Sequence, residues 1–181
     1  AAFYVGLLNS QPMGFYSPSQ LIQDARRHHI MVLPVDVNHS SWDHQILSSA
    51  DQQQPPIRLG LRLIKGLSEA AGQRIHTAQR QRTFANVADL RQRACLDRGD
   101  MEALAAADAL SGISGNRYQS HWQTMALEAH RPLLPHDSAA QRSQHDAAVT
   151  AVPTLPEDVI ADYQSTGLTL RSHPLSLLRH Q

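Results

Sequence analysis

The stretch Ile64-Lys65-Gly66-Leu67-Ser68-Glu69-Ala70-Ala71 carries residue types suited to one kind of chemistry, the capture of an anion. A glycine just ahead of a helix lets the backbone turn sharply and approach a bound group closely. The first amides of the helix that follows have no intrahelical acceptor and lie at the positive end of its dipole, so they suit a phosphate. Gly66, Leu67 and Ser68 supply that turn, and Lys65 adds a cation. Arg62 and Arg74 flank it and are expected to reach neighbouring phosphates on the same strand. Such contacts carry no base information, so binding should be sequence-independent and salt-sensitive. Replacing Arg62 and Lys65 together with alanine is expected to weaken binding equally on unrelated sequences, lowering the salt slope by roughly one per lost contact. On the octapeptide alone a second reading stays open, an ordinary helical turn with Gly66 as its C-cap. A Gly-x-Gly turn would carry a second glycine where this chain has Ser68, although serine can cap the next helix.

The elements that must position this turn are mostly short helices. Residues 1–10 read as the end of an apolar helix, stopped by Asn9-Ser10-Gln11-Pro12. A second helix begins with Ser17 as cap, Pro18 at the first helical position and Gln20 as the capping-box partner. The β-branched run Ile30–Val37, interrupted by Pro34, predicts extended chain and then a turn at Asn38-His39-Ser40-Ser41, a small α/β corner. After the polar stretch 51–56 the pattern becomes helical: Glu69 to about Arg80, Val87 to Ala94, and Asp97 onward with Asp100 in a capping position. Met101, Leu104, Ala105 and Leu110 share helical spacing, and the break is expected at Ser111-Gly112 and Gly115. Tyr118, Trp122, Met125, Ala126 and Ala129 then lie on one helical face, read as a core face. These short helices all fall within about 75 residues. Residues 132–156 read as a flexible linker of Ala, Ser, Gln, His, Asp and Pro, with order resuming at Glu157.

Composition narrows the classes. The formal charge of zero conceals an uneven spread: residues 57–131 hold eleven Lys/Arg against seven acids, while the segments on either side are net negative. The positive middle third is where phosphate contacts belong, though the excess alone selects no partner. No apolar run approaches the roughly 20 residues of a membrane span, and no secretory leader is seen, so no membrane partner and a cytoplasmic location are expected. The chain begins at Ala1 within an apolar segment and is read as a fragment. A single cysteine, Cys95, excludes an internal disulfide and is read as a small core or boundary residue. Eleven histidines include the near neighbours His28, His29, His39 and His44, but nothing completes a tetrahedral metal shell around them. Asp36 has no carboxylate two residues away, so the paired acids that hold two metals for phosphoryl transfer are missing. Trp42 is read as a structural plug, and Arg26-Arg27 as a solvated helix end.

Longer strings add a resemblance. Leu7-Leu8-Asn9-Ser10-Gln11-Pro12-Met13-Gly14-Phe15-Tyr16-Ser17-Pro18, Asp24-Ala25-Arg26-Arg27-His28 and Val35-Asp36-Val37-Asn38-His39-Ser40-Ser41-Trp42-Asp43 resemble the late fingers region of family C bacterial DNA polymerases, in the wording of their error-prone branch. Leu59-Gly60-Leu61-Arg62-Leu63-Ile64-Lys65-Gly66 is similar to that family's first helix-hairpin-helix. Leu96-Asp97-Arg98, with Met101–Leu104 and Ala107–Leu110, resembles its degenerate second hairpin, and Gly115-Asn116-Arg117 its closing helix. Gly167–Leu170 with His173-Pro174-Leu175 is similar to the approach to its OB domain. These blocks run in family order along nearly the whole chain.

The resemblance implies a mainly α fold: a piece of the fingers (1–56), a tandem helix-hairpin-helix domain (57–131), a linker (132–156) and a lead-in to an OB domain (157–181). It adds Asn116 and Arg117 to the DNA-binding set of Arg62, Lys65, Gly66, Leu67, Ser68 and Arg74. It implies duplex or primer-template DNA as partner, and for the longer parent a translesion polymerase that uses Mg²⁺ in the SOS response and meets a sliding clamp and accessory proteins. This piece is expected to hold no cofactor, no catalytic residue and no polymerase activity of its own. The rival reading is a protein-interaction module with little DNA contact. A helix-hairpin-helix repair enzyme is disfavoured, because no catalytic Lys or Asp follows the hairpin at a recognisable position.

Overall fold

The computed structural model describes residues 1–47, 54–129, 152–172 and 174–178. Most of the expected linker, and residues 51–53 of the earlier polar stretch, lie outside them.

Local signals set the first elements. Helix α1 (Ala2–Asn9) buries Tyr4 and Leu8. Helix α2 (Pro18–Arg27) starts on the expected capping box: the Ser17 hydroxyl accepts from the Gln20 amide, and the Gln20 side chain accepts from the Ser17 amide at 2.9 Å. Only Val32–Leu33 of the predicted extended run forms a strand, β1. It pairs in parallel with β3 (Ile57–Arg58), which pairs antiparallel with β2 (Gln45–Ile46), giving a small sheet of order β1-β3-β2.

A 3-10 turn at Leu61–Leu63 leads into the helical half. Helix α3 (Glu69–Gln81), α4 (Val87–Arg93), α5 (Arg98–Ala106), α6 (Ser111–Ser114) and α7 (Arg117–Ala129) follow, and α8 (Leu155–Ser165) and α9 (Pro174–Leu178) close the described chain. The mainly helical fold with an α/β corner is therefore present as expected. Two boundaries differ. The helix at Arg98 ends at Ala106 because Asp108 adopts a left-handed φ of +57°, so the break precedes Leu110, and Ser111-Gly112 lies within α6.

One hydrophobic core runs from Tyr4 of α1 through Ile22, Val37, Ile57, Leu61, Ile75, Leu90 and Leu104 to Leu168. Residues on both sides of position 56 build it. Asn38 fastens the corner to the helices, its amide donating to the Phe84 carbonyl and its side-chain oxygen accepting from the Phe84 amide. Trp42 plugs the gap beside α3, where a Cβ on Gly72 would fall within its indole ring. Gly60 is excluded from substitution by backbone, since a Cβ there would overlap the main chain of Trp42 and Asp43. That close approach seats the 3-10 turn, and hence the hairpin after it, against the corner.

Helix α7 reverses an expectation. Tyr118, Trp122, Met125 and Ala126 are exposed, and α7 instead buries Arg117, Ser120 and Thr124. The Ser120 and Thr124 hydroxyls donate to the carbonyls of Asn116 and Ser120, which satisfies them inside the protein. Small side chains on that face allow close packing against α5.

Candidate nucleic-acid interface

Between the 3-10 turn and α3, Ile64 and Leu67 are buried and act as pegs, while Lys65, Gly66, Ser68, Glu69 and Ala70 are exposed. Gly66 has φ +86°, a left-handed conformation that explains the glycine. The Ser68 hydroxyl accepts from the Ala71 amide at 3.1 Å, so serine caps α3. Among the described residues nothing accepts from the amides of Gly66, Ser68, Glu69 and Ala70. An exposed turn with four free N–H groups at the positive end of a 13-residue helix has the donors to cradle an anion.

The cations predicted around it are placed differently. Lys65 projects from the hairpin but rests on the C-terminal carbonyls of α8: Nζ donates to Tyr163 and Gln164, each at 3.0 Å, and its amide donates to Ser165. Arg62 turns away from the cradle, donating to the carbonyls of Asn9 (2.8 Å) and Gln11 (3.3 Å) and to the Asp43 carboxylate (2.8 Å). Arg74 crosses to the second hairpin, bonding the Ala94 carbonyl and Asp100. Arg117 is a correction. It is only 7% exposed and its guanidinium lies between Asp158 and Asp162 of α8, so its charge is neutralised within the protein and cannot face DNA. Asn116 caps α7 through its side-chain oxygen and the Gln119 amide. Of the eight predicted residues, the structure brings together Lys65, Gly66, Leu67 and Ser68.

The second hairpin has the same local grammar. Cys95 (φ +50°), buried Leu96 and capping Asp97 repeat Gly66, Leu67 and Ser68 in order. Cys95 is exposed in this turn rather than a core residue. Here, however, Asp97 and Asp100 close a capping box on α5 and set two carboxylates at the mouth of the helix. Those carboxylates take the Asp97 and Asp100 amides and repel a phosphate, so among the described residues the first hairpin offers the more open cradle. The helix-start amides expected to meet a phosphate are those of Glu69 and Ala70, two residues that the candidate set did not name because backbone donors carry no residue-type signature.

The other singled-out residues are structural. Asp36 accepts from the Asn38 amide and His39, and Arg26 donates to the Leu170 carbonyl. Among the described residues no group of three His, Cys, Asp or Glu could hold a metal, and no helix is long and apolar enough to cross a membrane.

Two exposed turns, each leading into a helix through a left-handed residue, a buried leucine peg and a helix cap, define a tandem helix-hairpin-helix protein. The helix-hairpin-helix motif family matches residues 29–120, and the chain belongs to it. Along its length the chain is also similar to proteins called error-prone DNA polymerase. It is 52% identical to that of Ralstonia nicotianae over 99% of the chain, 50% to that of Teredinibacter turnerae over 100%, and 48% to that of Methylococcus capsulatus over 100%. It spans 17–18% of the length of these relatives. The resemblance to the error-prone branch is thus borne out.

Proposed function

We propose that this chain grips the backbone of duplex DNA for a longer error-prone, translesion DNA polymerase. The observation that carries the reading is the exposed Gly66 turn with its four unpartnered amides. The DNA role of the family and the name of the relatives support it. The action is positional: the cradle holds a phosphate, Lys65 contributes charge beside it, and the catalytic parts of the parent gain residence time on the primer-template. Mg²⁺-dependent nucleotide transfer, the SOS setting, a cytoplasmic location and contacts with a clamp or accessory proteins belong to the parent in this reading.

Ala70→Glu tests it. Ala70 is exposed in the first turn of α3, where an added carboxylate suits the helix dipole and leaves the fold intact. The same carboxylate competes with a phosphate for the cradle. Affinity for duplex in fluorescence anisotropy should fall about tenfold or more, on any sequence, while the urea midpoint holds or rises. Lys65→Ala should lower the salt slope by about one. Arg62→Ala should leave that slope alone, because its bonds are internal. Unchanged affinity in Ala70→Glu removes the cradle from the interface. The rival reading, protein docking, draws on the exposed Tyr118, Trp122 and Met125 of α7 and predicts no salt-dependent duplex binding by the wild-type chain.

A further inference from the structure

Phe15 is 86% exposed and Tyr16 60% exposed, in the loop between α1 and α2. Two consecutive aromatics left this open form an exposed apolar patch, the kind of feature that marks a contact surface. The loop that carries them is fixed at many points. Asn9 exchanges two bonds with the backbone of His44. The Gln11 side chain accepts from the Met13 amide and donates to the Tyr16 carbonyl at 3.0 Å. Ser17 is held by the capping box of α2, and Arg62 donates to the Asn9 and Gln11 carbonyls. Arg62, expected to reach phosphate, is therefore a positioning residue for this loop.

We infer that Phe15 and Tyr16 form a stacking platform for unpaired bases of a nucleic-acid strand whose duplex portion sits at the Gly66 cradle; the inference rests on the DNA-binding reading above. Three observations favour a nucleobase over a protein partner. The aromatics stand among uncharged polar side chains, Ser10, Gln11, Ser17 and Gln20, which can meet base edges and sugars. No Asp or Glu occurs from Ala1 to Gln23, so nothing on this segment repels a phosphate. The platform is also continuous with the cradle. Arg62 holds the loop by the Asn9 and Gln11 carbonyls and lies four residues before Gly66, so one short segment joins the platform to the cradle. Stacking on aromatic faces tolerates any base, which matches the sequence-independent grip of the hairpin.

The test compares blunt duplex with the same duplex carrying a four-nucleotide single-stranded overhang, using the 181-residue chain and 2-aminopurine in the overhang. The wild-type chain should bind the overhang substrate about 5- to 100-fold tighter than the blunt one and quench the 2-aminopurine. Phe15→Ala/Tyr16→Ala should abolish both the preference and the quench while leaving blunt-duplex affinity and the urea midpoint unchanged. Phe15→Tyr/Tyr16→Phe should restore the quench. Persistence of preference and quench in the alanine variant overturns the platform, as does a wild-type chain with no overhang preference, which would assign the aromatics to a protein partner. Quench that depends on Phe15 and Tyr16 without any blunt-duplex binding would uphold the platform and sink the cradle reading instead.

Discussion

Replacing Arg117 with alanine should cost about 3–5 kcal/mol of folding stability, the range for stripping one partner from a buried ion pair. Its side chain is 8% exposed and lies against Asp158 (2.7 Å) and Asp162 of α8. Arg171 completes the cluster, bonding Asp162 twice at 2.9 Å and reaching Asp108 and Asp158. Two guanidinium groups thus hold three carboxylates. Removing Arg117 leaves those carboxylates with one counter-charge in a place where water screens poorly. The strain is visible in the intact protein: burial holds the Asp108 carboxyl above its ordinary range despite the bond from Arg171, and its Oδ1 is buried without a partner. Urea denaturation of Arg117→Ala and Arg117→Lys against the wild type measures the effect, with lysine falling between. An unchanged midpoint in the alanine variant would show that the cluster contributes nothing net. A consequence for the interface follows, because α8 supplies the carbonyls on which Lys65 rests. Loosening α8 should free that ammonium, so duplex binding near neutral pH should survive better than stability does.

Acid should destabilise the protein between pH 6.5 and 4 by roughly 3 kcal/mol through His44 alone. His44 is 4% exposed, and its Nδ1 accepts from the Gly60 amide at 3.1 Å. Burial first, and then the nearby Arg62 charge, lower its pKa to about 4, with Asp43 pulling the other way. Above pH 6.5 the imidazole is neutral in both folded and unfolded chains, so its contribution is complete there. Below 6.5 the unfolded chain takes up a proton that the folded chain refuses, and stability falls until pH 4. Protonating Nδ1 would also set two donors face to face at Gly60. Two acids act in other directions. Asp89, its carboxyl desolvated but held low by the Ala85 amide and by Arg93 and Arg82, adds stability that is lost only as pH falls below the ordinary carboxylate range. Asp108, raised by burial, contributes stability at low pH that is lost as pH rises through its folded value. The loss above pH 5 is therefore assigned to the histidine. His44→Asn keeps an acceptor and removes the titration. Its urea midpoint should stay flat from pH 6.5 to 5 while the wild type drops; parallel curves would acquit His44.

Helices that begin on caps, and the turn at Gly66, are written in the local sequence. Ser17 with Gln20, Ser68, and Asp97 with Asp100 cap where their types and spacing predict, and Gly66 turns where glycine is needed. These signals act within one turn of chain, so neighbouring residues suffice to read them. Long-range packing sets what each charge meets. Arg62 spans 53 positions to Asn9, Lys65 98 to Tyr163 and Arg117 45 to Asp162. A guanidinium looks alike in sequence whether it waits for a phosphate or is already matched to a carboxylate. Helix α7 makes the same point for apolar residues: spacing shows that Tyr118, Trp122 and Met125 share a face, but not which face meets α5. That choice rested on whether Ser120 and Thr124 could satisfy their hydroxyls on their own helix, which lets small polar groups be buried and leaves the aromatics outside.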